Sequence, residues 1–338
     1  MREQQRWSRC CSAFLGEARE RSNLAAVRVA HRATATAWLS WFGVLPSFML
    51  RFTKMNGAGN DFVMIDNRSG NVRLTPEQIV RICDRHRGVG ADGILLLEPA
   101  THRADFRMRY YNRDGGEAEM CGNGARCFAR FANTIAGAKG KFSFETPAGV
   151  IGAELRGNLI TLQMSPPSDL RLSVPLQVEG EETSVHYINS GVPHVVVPVS
   201  RADVVHVRGR GAAIRNHKMF SPKGANVNFI EKRGPKQIAI RTYERGVEDE
   251  TLACGTGVVA SALIFAATEN ANGPIGVLVR GGDELQVGFD KIDPPSPGSG
   301  AAGPPSAAAA TSGAADSQFR NVTLTGPAEF VFEGTIEI

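Results

Sequence analysis

The chain has 338 residues, 42% of them hydrophobic, a net charge of +4 and no apolar run long enough to span a membrane. That length accommodates two domains with substantial cores. Seven arginines in the first 48 residues supply much of the positive charge, so the surplus gives no nucleic-acid signature. The cysteines (Cys10, Cys11, Cys83, Cys121, Cys127 and Cys254) lack the spacing of a secreted disulfide framework.

Residues 1–48 are Arg-rich, with scattered Ala, Ser and Trp and no continuous apolar core ahead of a cleavage site. That argues against a secretory signal and leaves an organelle transit peptide or a start placed too early. Glu3, Glu17 and Glu20 count against the transit peptide, and Met49 leads directly into a strand-like alternation at 50–55. A start near Met49 is the favoured reading. It implies a cytoplasmic protein, with a plastid location the alternative if 1–48 is a transit peptide.

From Met49 short strands alternate with helices. Asn56-Gly57-Ala58-Gly59-Asn60-Asp61 is a turn cluster, and Thr75-Pro76-Glu77 opens a helix with Thr75 as N-cap. Apolar periodicity runs through 76–85 and places Cys83 in a core, although Cys83 and His86 have metal-like spacing; no second pair completes a site, and no metal is expected. Gly88-Val89-Gly90-Ala91-Asp92-Gly93 matches a dinucleotide fingerprint in letters only. A helix precedes it and the strand 94–97 follows, the reverse of what nucleotide binding needs.

Met120-Cys121-Gly122-Asn123-Gly124 then begins a helix, followed by strands at 141–145, 150–155 and 159–164 and a Ser165-Pro166-Pro167-Ser168 linker. Further strands are expected near 185–188, 195–199, 227–231 and 238–243, and a second helix from Cys254-Gly255-Thr256-Gly257 to about residue 267. The segment 294–317 is low-complexity Pro, Gly, Ser and Ala and reads as a disordered loop inserted in a hairpin between 285–289 and 322–324. The last strand is expected at 328–333.

The two cysteine–glycine motifs belong to a longer repeat. Gly59-Asn60-Asp61-Phe62-Val63 parallels Gly191-Val192-Pro193-His194-Val195, and Ala91-Asp92-Gly93-Ile94 parallels Ala225-Asn226-Val227-Asn228. The run 107–115 parallels 240–246. Matched landmarks in one order indicate two similar halves facing each other.

Each cysteine stands at the mouth of a helix, where backbone N–H groups favour a thiolate and hold a carboxylate. With one sulfur on each face of a carbon, a thiolate removes a proton, a thiol returns one from the opposite side, and the stereocentre inverts. The N–H groups of Gly122, Asn123, Gly255 and Thr256 are placed to bind the carboxylate beside that carbon. Two facing thiols are also expected to form an inactivating disulfide on oxidation.

Met120-Cys121-Gly122-Asn123-Gly124, Tyr243-Glu244-Arg245-Gly246, Ala253-Cys254-Gly255-Thr256-Gly257, Gly59-Asn60-Asp61-Phe62 and the run around Asn112-Arg113-Asp114-Gly115 strongly resemble diaminopimelate epimerase. The resemblance spans 49–338 apart from 294–317. It implies an isomerase that needs neither pyridoxal phosphate nor any other cofactor or metal. That enzyme interconverts LL- and meso-2,6-diaminopimelate in lysine and peptidoglycan-precursor synthesis. Cys121 and Cys254 match the acid/base pair, His194 and Glu244 the residues that tune them, and Asn60, Asn112, Asn226, Glu244 and Arg245 substrate contacts.

The resemblance also implies an α/β (α+β) fold of two pseudo-symmetric domains, each a curved mixed sheet wrapped on a central helix, with the active site in the cleft between them. The domains are expected at 49–167 and 168–326, with 327–338 returning to the first, and the protein as a homodimer. The sequence departs from the family's common pattern at Val192, where Asn is frequent, and at Gly93, where some members carry a substrate-contacting Gln. Two other readings are a proline racemase-like enzyme and a non-enzymatic thiol switch. The first typically has His where this chain has Asn123 and lacks the 243–246 run, and the second leaves the asparagines and Arg245 unexplained. Cys127, beyond one and a half turns from Cys121, reads as structural, as do the remaining histidines and one or both of Tyr110 and Tyr111.

Overall fold

The computed structural model describes residues 49–138, 140–178, 180–292 and 318–338. The expected N-terminal extension, 1–48, and the insertion, 294–317, lie outside the described residues. The first half runs β1 (Met49–Gly57), β2 (Asn60–Asp66), α1 (Pro76–Cys83), β3 (Gly93–Pro99), β4 (Phe106–Asn112), β5 (Glu117–Ala118), α2 (Gly122–Ala136), β6 (Lys141–Thr146), β7 (Gly149–Arg156) and β8 (Leu159–Gln163). The second half runs β9 (Ser168–Val178), β10 (Glu181–Asn189), β11 (Pro193–Pro198), α3 (Val207–Arg215), β12 (Asn226–Gly234), β13 (Gln237–Glu244), β14 (Asp249–Thr251), α4 (Gly255–Thr268), β15 (Ile275–Leu278), β16 (Glu284–Lys291) and β17 (Phe319–Pro327). A last strand, β18 (Glu329–Glu337), ends the chain.

Local chemistry sets several boundaries. Ala58 (φ 60°) and Gly59 (φ 92°) form a two-residue hairpin turn with both central residues left-handed, and Gly59 N–H donates to Asn56 Oδ1 at 3.0 Å. Thr75 and Gln78 close a reciprocal capping box on α1. That helix stops at Cys83, short of the periodicity, because Asp84 turns extended and its carboxylate takes the N–H groups of His86 (2.7 Å) and Arg87 (2.8 Å). α2 ends at Gly137 in the left-handed conformation. α4 is apolar on nearly every side and buried along most of its length, as a central helix must be.

The strand pairings repeat. In the first half the ladder runs β18–β1–β2–β3–β4–β6–β7–β8, with β5 beside β4. In the second it runs β9–β10–β11–β12–β13–β15–β16–β17, with β14 beside β13. Parallel and antiparallel pairs fall at the same steps in both. Each parallel pair is bridged by a helix, as parallel strands require: α1 and α2 in the first half, α3 and α4 in the second. β8 and β17 pair antiparallel and join the halves at their symmetry point.

Each ladder wraps its central helix. α2 packs on β1, β2, β3, β7 and β8, α4 on β10 to β13 and β15 to β17, and the two helices touch each other. One continuous apolar cluster contains both helices, while α1 and α3 cover the outer faces with smaller clusters of their own. The mixed, strand-dominated architecture agrees with the sequence reading, and β18 pairs antiparallel with β1. Elements the sequence reading left out include β9, β15 and α3, and the short strands β5 and β14. β9 is an outer strand that carries Pro175 and is half-exposed, so its alternation is weak. α3 contains Gly209 and Gly211, poor helix formers, and Gly211 is needed because a Cβ there would lie 2.5 Å from Tyr243 Cβ.

Candidate active site

Cys121 and Cys254 are the extended N-cap residues of α2 and α4. Their carbonyls accept the first helical bonds, from Ala125 N–H (2.7 Å) and Val258 N–H (2.9 Å). Neither side chain caps its helix, so both sulfurs stand at helix mouths among N–H groups with no partner within the helix. The two mouths meet. A Cβ on Gly255 would lie 3.3 Å from Gly122 Cα, and one on Gly122 would lie 3.5 Å from Gly255 Cα. Glycine at both positions lets the backbones approach, and the cysteine before each stands beside that meeting point.

Burial pushes both thiols up, and nearby dipoles oppose it. At Cys121 the N–H groups of Gly124 and Asn123 and the charge of Arg126 favour the thiolate, while the Glu244 carboxylate disfavours it. At Cys254 negative charge on Glu244 and on Cys121 adds to burial, and the Thr256 hydroxyl and Gly257 N–H act the other way. A charge on one cysteine therefore raises the other, which favours one thiolate and one thiol across the cleft. Glu244 is itself raised, by burial and by the charge of Asp92.

Around the cysteines the two halves differ. Asn123 donates its amide to Asn60 Oδ1 (2.6 Å) and to the Ala253 carbonyl (3.0 Å), which ties the α2 mouth to the residue before Cys254. Asn60 in turn donates to Asp92 Oδ2 (2.9 Å). On the other side Thr256 Oγ1 stands 3.6 Å from Cys254 Sγ and 2.9 Å from His194 Nε2, and Ser190 Oγ donates to the Thr256 carbonyl at 2.8 Å. His194 is fully buried and its pKa falls to about 3 through burial and the positive charge of Arg245.

Asn226 is held by backbone on both sides: it donates to the Pro193 carbonyl (3.3 Å) and accepts from Arg245 N–H (2.8 Å). Arg245, half-buried beside it, donates to the Gly224 carbonyl at 3.4 Å. Asn112 ends β4 opposite Gly93, the first residue of β3.

Three residues near the cysteines escaped the sequence reading. Arg126 is fully buried and donates to Asn123 Oδ1 (2.9 Å) and to the carbonyls of Gly57 (3.3 Å), Pro327 (3.2 Å) and Gly122 (3.4 Å). Asn228 and Thr242 sit behind His194. The available signal was the Asn226-Val227-Asn228 alternation, which puts two amides on one face of an apolar strand. Cys83 and Cys127 are buried in apolar clusters and pushed up to about 12 by burial, as structural cysteines.

Solved structures share this fold. A phenazine biosynthesis protein of the PhzF family from Bacillus anthracis superposes with a TM-score of 0.60 at 18% identity, covering 86% of this chain and 100% of its own. A hydroxyproline epimerase from Agrobacterium vitis gives 0.61 at 16% identity, covering 86% and 91%. At these identities the likeness defines the fold, which a hydroxyproline epimerase and a phenazine biosynthesis protein both carry. The profile of the family described as diaminopimelate epimerase matches residues 52–169 and 186–289. Diaminopimelate epimerase of Aquifex aeolicus is 44% identical over 254 residues, 72% of this chain and 91% of that protein. The enzyme of that name from Chlorobaculum tepidum is 40% identical over 288 residues, 84% and 100%. The chain belongs to the diaminopimelate epimerase family. These identities disfavour the proline racemase-like reading.

Proposed function

We propose that this enzyme interconverts LL- and meso-2,6-diaminopimelate by two-base proton transfer between Cys121 and Cys254, without a cofactor. One sulfur, as thiolate, takes the α-proton and becomes a thiol. The electron pair left on carbon is stabilised through the adjacent carboxylate, which the N–H groups of Gly122, Asn123, Gly255 and Thr256 bind. The other thiol then delivers its proton to the opposite face and is left as thiolate. His194 and Glu244 set the two thiols' proton affinities, Asn60 and Asn112 line the cleft, and Arg245 takes the distal carboxylate by its planar fork. The observation that supports this reading is the close approach of Gly122 and Gly255, which brings together the mouths of the two helices that Cys121 and Cys254 cap.

The test is proton NMR of LL-diaminopimelate in D₂O with reduced enzyme. Loss of the α-proton signal, abolished by Cys121→Ala and by Cys254→Ala, is expected. Exchange on proline in place of diaminopimelate overturns the reading.

The repeated ladder supports domains at 49–167 and 168–326 with the end of the chain returned to the first. We propose also a homodimer built along β18. Among the described residues β18 pairs only with β1, and Phe330, Val331 (57% exposed) and Phe332 stand out on it. An open edge with an apolar face suits a second copy of this chain. Among the described residues no helix is long and apolar enough to cross a membrane. A cytoplasmic location fits the reaction and the bacterial relatives.

A further inference from the structure

Asn228 is fully buried on β12, and each of its polar atoms is engaged. Its Oδ1 accepts from the Thr242 hydroxyl at 3.0 Å. Its Nδ2 faces the Val195 carbonyl at 3.1 Å and His194 Nδ1 at 3.0 Å. A backbone carbonyl only accepts, so the amide nitrogen must be the atom that faces it. The same nitrogen then donates its second hydrogen to Nδ1, which must be unprotonated. A neutral His194 therefore carries its proton on Nε2 and donates it to Thr256 Oγ1. Thr256 cannot donate back to that ring, and its own hydrogen is left for Cys254 Sγ.

We propose that Asn228 is a positioning residue of the epimerisation: by fixing His194 as the Nε2–H tautomer, it commits the Thr256 hydroxyl to the sulfur of Cys254. The relay is one-sided. The residue equivalent to Thr256 at the other mouth, Asn123, is turned away to Asn60 and the Ala253 carbonyl and held there by Arg126. Cys121 is served by backbone N–H groups, whereas Cys254 has a side-chain donor as well. The pseudo-symmetric pair is thus made unequal by residues two shells away. Gly257 belongs to the same device, since a Cβ there would lie 2.5 Å from Asn228 Oδ1. Burial keeps His194 neutral with Arg245 adding to the effect, so the relay does not itself titrate near neutrality, and Glu244 and Cys121 are the charges acting on Cys254.

The proposal rests on Cys254 being one of the two bases. The first measurement is the tautomer of His194 in wild-type enzyme, by long-range ¹H–¹⁵N spectra with the His194→Gln variant as assignment. Protonated Nε2 is expected, and protonated Nδ1 overturns the proposal. The second is the pH profile of alkylation of each cysteine by iodoacetamide, followed by mass spectrometry. Thr256→Val is expected to slow alkylation of Cys254 about tenfold in the rising part of its profile and to leave Cys121 unchanged, the size of one hydrogen bond to a charged group. Thr256→Ser should restore it.

Asn228→Asp puts an acceptor against Nδ1, moves the proton there and turns the Thr256 hydroxyl towards Nε2. It should therefore reproduce Thr256→Val, lower kcat about tenfold with KM within about twofold, and add nothing in the double variant. An unchanged Cys254 profile in Thr256→Val, or equal shifts at both cysteines, overturns the proposal. Should Asn228→Asp fail to fold, the wild-type tautomer and the Thr256 variants still decide. Failure of the two-base reading has a different signature, since exchange would then survive in Cys254→Ala.

Discussion

Gly57 closes β1 against the first turn of α2, and Gly57→Ala tests how tightly that turn must be held. A Cβ at this position would lie 2.6 Å from the Asn123 carbonyl oxygen and 2.9 Å from Cys127 Sγ. The thiol has room to rotate, but the carbonyl is part of a helix. Restoring an ordinary contact of 3.4 Å requires the strand and the helix to separate by about 0.8 Å. The moved turn carries Cys121, and it stretches the Arg126 bonds to the Gly57 carbonyl (3.3 Å) and to Asn123 Oδ1 (2.9 Å). Overpacking of this kind costs about 1–3 kcal/mol of stability. A displacement approaching 1 Å at a reacting group costs on the order of 100-fold in rate. Urea unfolding should show the first loss, and the α-proton exchange rate a fall of roughly 10- to 100-fold. Gly152→Ala is the control: its Cβ meets only Gln163 Cβ, at 3.5 Å, and should change stability by less than about 0.5 kcal/mol. A Gly57→Ala enzyme with wild-type midpoint and exchange rate would refute the reasoning.

Asp61 binds buried Lys54 (2.8 Å) and exposed Arg85 (2.7 Å), and although burial raises its pKa, these partners bring it down from 3.8 to about 2. Its stabilising effect is therefore complete above pH 3.8 and fades as the pH falls through about 2. Asp61→Asn should unfold at lower urea than wild type at neutral pH, with the difference closing in strong acid; a constant difference would exclude linkage through this group. Cys83 and Cys127 should stay unmodified in native enzyme under iodoacetamide at pH values where Cys121 reacts, since both are buried in apolar clusters while Cys121 is half-buried; site-by-site mass spectrometry reads this directly. If the protein forms the proposed β18 dimer, Val331→Lys should give a monomer in light scattering where wild type gives a dimer, and an unchanged dimer mass would move the proposed interface off β18.

Much of the site could be read from the sequence because its chemistry is local in the chain. A cysteine followed by Gly-x-Gly states both the thiol and the helix mouth that tunes it, and its second occurrence states the pairing. The departure at Gly93 became intelligible only in three dimensions: a Cβ there would lie 2.4 Å from the Tyr111 carbonyl and 2.6 Å from Tyr110 Cε2, so β3 and β4 leave no room for a side chain. The support behind His194 was hidden for a related reason. Asn228 faces Thr242 across the β12–β13 ladder, and β11 runs parallel beside it, so three distant segments converge through strand register. No short motif encodes a register. β9 and α3 were missed because Pro175, Gly209 and Gly211 weaken the local signal that tertiary packing then overrides.

The ladder that joins β1 to β18 pairs Met49 with Glu337. A ribosome adding about 5–20 residues per second emits the second of these on the order of tens of seconds after the first. During that interval β1 has its hairpin neighbour β2 but not its partner β18, so the first-half ladder is unfinished until β18 is made. The nascent chain must guard that strand edge until β18 emerges, and loss of β18 would damage the half of the enzyme that was made first.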